Sequence, residues 1–152
     1  MLSRSTNIQK ESSMVINFNP KYIPGDIVYN HKKEIIRITS SYLKGTKLFY
    51  YRDGENGWIR EEAIKPIPLI PEILEKNGWK LHKHHERNSY DDVSWSSYHK
   101  PAETNISLIF YQEEKAFFPF LYAQEISETP IRYIHQLQHL LFGLELNSEM
   151  EV

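Results

Sequence analysis

The sequence contains no cysteine. That excludes disulfides, thiolate metal sites and a cysteine nucleophile, and it fits a reducing compartment. No apolar run approaches the roughly 18 residues a membrane helix requires. The N-terminus lacks the apolar core of a secretory signal. Glycine is scarce: six in 152 residues, dispersed at turn positions rather than gathered into a phosphate-cradling loop. Ser94, Ser96 and Ser97 lack the strand–turn–helix setting that exposes a serine nucleophile. These absences argue against an NTPase, a dinucleotide enzyme and a serine hydrolase. No cofactor motif is present.

What the chain does have is aromatic weight. Aromatics make up 13% and hydrophobic residues 40% of the chain, too much for a disordered polymer. The net charge of −2 is split unevenly. Residues 1–65 carry 11 Lys/Arg against 7 Asp/Glu; residues 66–152 carry 7 against 13. Pro66, Pro68 and Pro71 cluster at that boundary. Such asymmetry can mark a nucleic-acid face, although a solvated surface explains a small excess equally well.

Residues 1–15 are polar and aperiodic and read as a disordered tail, with Met14 an alternative start to Met1. Residues 16–65 read as a small β module. Ile27-Val28-Tyr29, Glu34–Thr39, Lys47–Tyr51, Trp58-Ile59-Arg60 and Ala63-Ile64-Lys65 are five short strands, with a turn at Asp53–Gly57. This spacing suggests an SH3-like barrel. Residues 66–78 form a proline-rich linker and a short helix: Pro71 suits the first helical position and Gly78 a left-handed stop. Trp79 is placed to fold back on it.

Residues 79–144 read as an antiparallel sheet with one long helix. Trp79–Lys83 is its first strand and His84–Ser89 a turn. Val93–His99 follows, with Val93, Trp95 and Ser97 on one side. Ile106–Tyr111 and Ala116–Tyr122 form a hairpin, in which Pro119 demands an edge or a bulge. The helix is expected over Thr129–Gly143, with Thr129 as N-cap, Pro130 at its first position and Gly143 closing it. Tyr133, Ile134, Leu137, Leu140, Leu141 and Leu144 fall on one face, and His135, Gln138, His139 and Phe142 on the other. The expected core is Trp79, Trp95, Ile106, Leu108, Phe118, Tyr133, Ile134, Leu137 and Leu141. Residues 145–152 are an acidic tail expected to fray. The class is α+β, mostly antiparallel β.

Two segments, Pro66-Ile67-Pro68-Leu69-Ile70-Pro71-Glu72-Ile73-Leu74-Glu75-Lys76-Asn77-Gly78-Trp79 and Ile131-Arg132-Tyr133-Ile134-His135-Gln136-Leu137-Gln138, carry a resemblance. Together they resemble a family of small uncharacterised proteins of phages, prophages and conjugative elements in gut bacteria. There a small β module precedes an "IPLTxEILxxNGF"-like segment and a "vHxLQ" helix closes the chain. Ile70 stands where that family usually has threonine, and Trp79 where it has phenylalanine. The resemblance implies a mobile-element context in a bacterial cytoplasm and carries over no catalytic residue.

Three constellations carry candidate chemistry. Tyr90, Trp95, Tyr98, Arg132, His135, Gln138 and His139, with Gln136 beside them, supply stacking, a charge for phosphate and directional amides. A nucleotide pocket needs those parts. The bland reading makes Trp95 and the tyrosines core and rim, and His135 a buried side chain bonded beneath the helix. Second, Lys32, Lys33, Arg37, Lys44, Lys47, Arg52 and Arg60 interleave with Tyr29, Phe49, Tyr50, Tyr51 and Trp58, as on a single-strand nucleic-acid face. Acidic neighbours Glu34, Asp53, Glu55, Glu61 and Glu62 dilute that field. Third, His135 and His139 have a spacing that can share a zinc ion, with His82, His84, His85 or His99 as a third ligand. Gln136 replaces the glutamate that a metalloprotease helix needs as its base. No metal is assigned. Asp91-Asp92 and Glu113-Glu114 read as solvated turns.

The expectation is a non-enzymatic binding protein of a phage or mobile element. It sequesters or blocks a host component, a protein or a small nucleotide signal, in a counter-defence role. The first alternative is a nucleic-acid-binding accessory protein acting through Lys32, Lys33, Arg37, Lys47, Tyr50, Arg52 and Trp58. The second is a histidine-dependent metal hydrolase. No membrane partner is expected. The aromatic content is compatible with a homo-oligomer, and no heptad specifies one.

Overall fold

The computed structural model describes residues 20–54 and 57–152. The expected tail over 1–15, the start at Met14, and Glu55 and Asn56 of the expected turn lie outside the described residues. The chain divides into two compact units, Met1–Lys65 and Pro66–Val152. The described residues are mostly β, in two antiparallel sheets, with few helices.

In the N-terminal unit, Gly25 takes a left-handed turn at φ 97° and Asp26 accepts the backbone N–H of Ile23 at 2.9 Å. That pair starts β1 (Ile27–Tyr29). Asn30 Oδ1 then accepts the N–H groups of Lys32 and Glu34, both at 2.9 Å, turning the chain into β2. β2 (Ile35–Lys44) is longer than expected and shifts register between Ile38 and Ser40. β3 (Lys47–Arg52) and β4 (Trp58–Arg60) complete the order β1-β2-β3-β4. A fifth strand does not form. Glu61–Ala63 is a 3-10 turn instead, after which Lys65 exchanges two backbone hydrogen bonds with Tyr29. The shift and that bridge curl the sheet into a half-barrel. Its core is Tyr22, Val28, Ile38, Tyr50 and Ile64.

In the C-terminal unit, α1 (Pro71–Lys76) starts at Ile70, which supplies no side-chain cap. Gly78 stops it at φ 87°, and Trp79 N–H reaches back to the Leu74 carbonyl at 3.1 Å. Trp79 is buried. The sheet is β5 (Lys80–His85), β6 (Trp95–Lys100), β7 (Glu103–Tyr111), β8 (Ala116–Leu121) and β9 (Gln124–Glu125), paired in that order. His84 and His85 belong to β5, not to a turn. The two-residue β9 pairs only the end of β8, so Pro119 sits where no strand beyond β8 asks for its missing N–H. On the inner face, alternation places Ser96 and Tyr98 beside Ile106, Leu108, Phe110 and Phe117.

α2 (Ile134–Gly143) begins later than Thr129. Ile131 and Tyr133 are drawn into bridges with Phe117 and Pro68, and so cannot be helical. Gln136 caps the helix, accepting Arg132 N–H at 2.8 Å and Tyr133 N–H at 3.1 Å. Glu145 at φ 59°, not Gly143, makes the left-handed close, with Leu146 N–H on the Leu141 carbonyl. Ile134, Leu137 and Leu141 are fully buried, whereas Tyr133 is only partly so. The acidic tail is pinned rather than frayed. Asn77 bonds Glu151 through both its N–H and its carbonyl, Gln138 bonds the Ser148 carbonyl, and Met150 is buried.

Candidate functional site

The parity of β6 is opposite to the one expected from Val93 and Trp95. Ser94, Ser96 and Tyr98 are buried, so Trp95, Ser97 and His99 face outward. Two hydrogen bonds make serine acceptable inside: Ser94 Oγ accepts Arg87 N–H at 3.0 Å, and Ser96 Oγ lies 2.7 Å from His84 Nδ1. Phe118 also faces outward, only half-buried, one position from the buried Phe117. Trp95 and Phe118 are therefore not core residues.

That outer face has two ends. At one end lie aromatic rings. His85 stacks on Trp95 at 5.5 Å, and Tyr111 meets Phe118 edge-on at 5.3 Å. Acids surround them: Asp91 holds His85 at 3.0 Å, and the Tyr111 hydroxyl is pushed above its ordinary value by burial first, then by Glu125, Glu114 and Asp91. At the other end is an open hollow of about 390 Å³ lined by His82, Ser97, His99, Asn105, Ser107, Tyr122 and Ala123. His82 sits at a β5 register shift, and its ring meets that of His99 edge-on at 5.1 Å. Register places Lys80 opposite His99 and Lys83 opposite Ser97, adding two cations to this end. His99 Nδ1 is buried and has no hydrogen-bond partner among the described residues. Ser97 is two positions from Trp95 along β6, about 7 Å.

The wall formed by Tyr122 and Ala123 is strained. These two residues make the whole β8–β9 loop, at φ 51° and 64°. A two-residue turn with both φ positive favours Asn-Gly, and a tyrosine or alanine there costs on the order of 1 kcal/mol each. The turn holds Tyr122 over the hollow, where its hydroxyl accepts from Asn105 Nδ2 at 3.2 Å. Replacing the pair by Asn-Gly should raise stability by about 1–2 kcal/mol. It should also weaken any ligand bound in the hollow. A thermal melt and a binding titration on the double variant check both halves; loss of stability would show that the loop is not strained.

The residues expected to form a nucleotide pocket are dispersed. Tyr90 is 98% exposed on the β5–β6 loop. Tyr98 is on the inner face, 6.2 Å from Phe117. Arg132 is exposed and donates to the Glu114 carbonyl at 2.7 Å. His135 and Gln138 are buried, and His139 lies edge-on to His135 at 5.5 Å. His139 and Gln136 line a separate hollow of about 260 Å³ against Pro119 and Pro130. Of that set, Trp95 alone belongs to the outer face. The hollow's own residues were visible only as isolated histidines and serines, because strand pairing brings them together.

The nucleic-acid set is also divided. Tyr50 is fully buried. Arg37 pairs with Asp53 at 3.6 Å. Lys32 and Lys33 lie in the β1–β2 turn, and Arg52 alternates to the Tyr50 side of β3. Lys47 and Trp58 share the opposite face. Among the described residues no group of three or more His, Asp or Glu side chains is placed to hold a metal ion. Among them also, no helix is long and apolar enough to cross a membrane. No protein-family model, curated protein or solved structure matches the chain.

Proposed function

We propose that the chain is a non-enzymatic binding protein of a phage or other mobile element that sequesters a small host nucleotide on the outer face of its second sheet. The observation that carries this reading is the two-ended face. Imidazoles, lysines and serine hydroxyls at the hollow suit a phosphate. Trp95, Tyr111 and Phe118, ringed by acids, suit a base whose exocyclic N–H groups donate outward. About 7 Å of strand separates the two ends, which is the reach of a mononucleotide. Among the described residues this face pairs no nucleophile with a positioned base, which favours capture over turnover. The mobile-element origin follows from the resemblance carried by Pro66–Trp79 and Ile131–Gln138. We also read the N-terminal half-barrel as SH3-like: four strands, a 3-10 turn and a return to β1 follow that order.

Calorimetric titration of the full chain with adenosine and guanosine 5′-monophosphates, and with the matching nucleosides, tests the reading. The phosphates should bind more tightly than the nucleosides. His99→Ala should cost about tenfold through a lost bond to a charged group. Trp95→Ala should cost about 1–3 kcal/mol of stacking. Equal binding of phosphate and nucleoside, or an unchanged His99→Ala variant, would remove the hollow from the proposal.

A further inference from the structure

The N-terminal unit presents a second surface, independent of the nucleotide reading. Strand alternation puts Tyr42, Phe49, Tyr51 and Trp58 on the side of the sheet away from its core. The rings touch: Tyr42 stacks on Phe49 at 5.3 Å and on Tyr51 at 5.5 Å, and Trp58 meets Phe49 edge-on at 4.3 Å. Phe49 is buried beneath this group, while Trp58 and Tyr51 are 47% and 36% exposed. The same alternation places Lys44, Lys47 and Arg60 on this side, with Arg60 directly opposite Phe49. None of the three forms an ion pair among the described residues, and no strand residue on this side is acidic. The nearest acid along β3, Asp53, is engaged by Arg37.

From this geometry we infer that the face binds a single-stranded polynucleotide. Exposed rings rimmed by three cations, with no acidic strand residue on the same side, suit a partner that brings both apolar planes and negative charge. A single strand does so, with bases stacking on Trp58 and Tyr51 and phosphates tracking Lys44, Lys47 and Arg60. A duplex offers these rings no base faces, because its bases are already stacked on one another. Three strands are about 10 Å across, wide enough for one strand of nucleic acid.

The test titrates the full chain with oligo(dT), oligo(U) and a duplex at several salt concentrations. Both single strands should bind more tightly than the duplex. The logarithmic salt slope should be about −2, from about −0.7 per phosphate contacted. Lys44→Gln with Lys47→Gln should reduce it to about −0.7. Trp58→Ala should cost about tenfold, and Trp58→Phe should recover most of that loss. Absence of single-strand binding at low salt, duplex binding as tight as single-strand binding, or an unchanged slope in the double lysine variant would each overturn the inference. The lysine and phenylalanine variants keep the test decisive should Trp58→Ala fail to fold.

Discussion

Leu137→Asp is expected to leave the C-terminal unit without a cooperative unfolding transition. Leu137 is completely buried in the middle of α2. Removing the isobutyl group costs about 2–5 kcal/mol through lost burial and the cavity left behind. The carboxyl adds a desolvation penalty of about 1–3 kcal/mol or more, even if it protonates to escape it. Together these reach the range of a whole domain's stability, about 5–15 kcal/mol. The buried carboxyl's folded-state pKa would be raised. Its penalty is therefore smallest below the unfolded aspartate value and grows as pH rises, so the variant should be less damaged in acid than at neutrality. Leu137→Met keeps volume and polarity and should cost under about 1.5 kcal/mol. Near-ultraviolet circular dichroism through a thermal melt reads the result. A soluble aspartate variant with wild-type melting would show that the helix does not seal this core.

Tyr50→Phe should weaken the N-terminal unit by about 2–4 kcal/mol and blunt its sensitivity to alkali. The Tyr50 hydroxyl accepts the backbone N–H groups of Lys21 at 3.0 Å and Tyr22 at 3.4 Å while donating to the Glu61 carboxylate. Phenylalanine removes the hydroxyl that accepts from Lys21 and Tyr22 and donates to Glu61, at about 1–3 kcal/mol for each of these groups that water cannot reach. Burial pushes the hydroxyl well above its ordinary 10.0, and Glu61 raises it further. A folded-state value above the unfolded one gives stability that is complete below pH 10 and lost as pH rises beyond it. Urea unfolding of both proteins across that range, followed through the N-terminal unit, isolates Tyr50 from the other tyrosines. Parallel alkaline losses in the two proteins would mean that Tyr50 ionises freely.

Local signals were legible where they had no competitor. Pro71 at the start of α1, Gly78 at its end and Trp79 folding back are all decided within ten residues. The β-branched run leading from Ile35 read as a strand for the same reason. Expectation failed where long-range pairing outbid a local preference. Thr129-Pro130 is a sound helix start, yet Ile131 and Tyr133 gain backbone partners on Phe117 and Pro68 and push the start onward. In β6 a one-residue change of parity exchanges the two faces. Hydrophobicity alone would bury Trp95, but Ser94 and Ser96 find partners inside and release the tryptophan outward. The hollow is more remote still from the linear sequence. His82 comes from one strand, His99 from the next and Ser107 from a third, so no spacing along the chain announces it.

The bounding strands of the second sheet bear on how copies of this chain could associate. One edge is β5, with two lysines, three histidines and a register shift within six residues. The other is β9, only two residues long. Charge and irregularity on one side and brevity on the other deny an incoming strand a straight ladder to extend. Strand-by-strand growth into fibrils is thus opposed at both borders, and a homo-oligomer would not be built by extending this sheet at its margins.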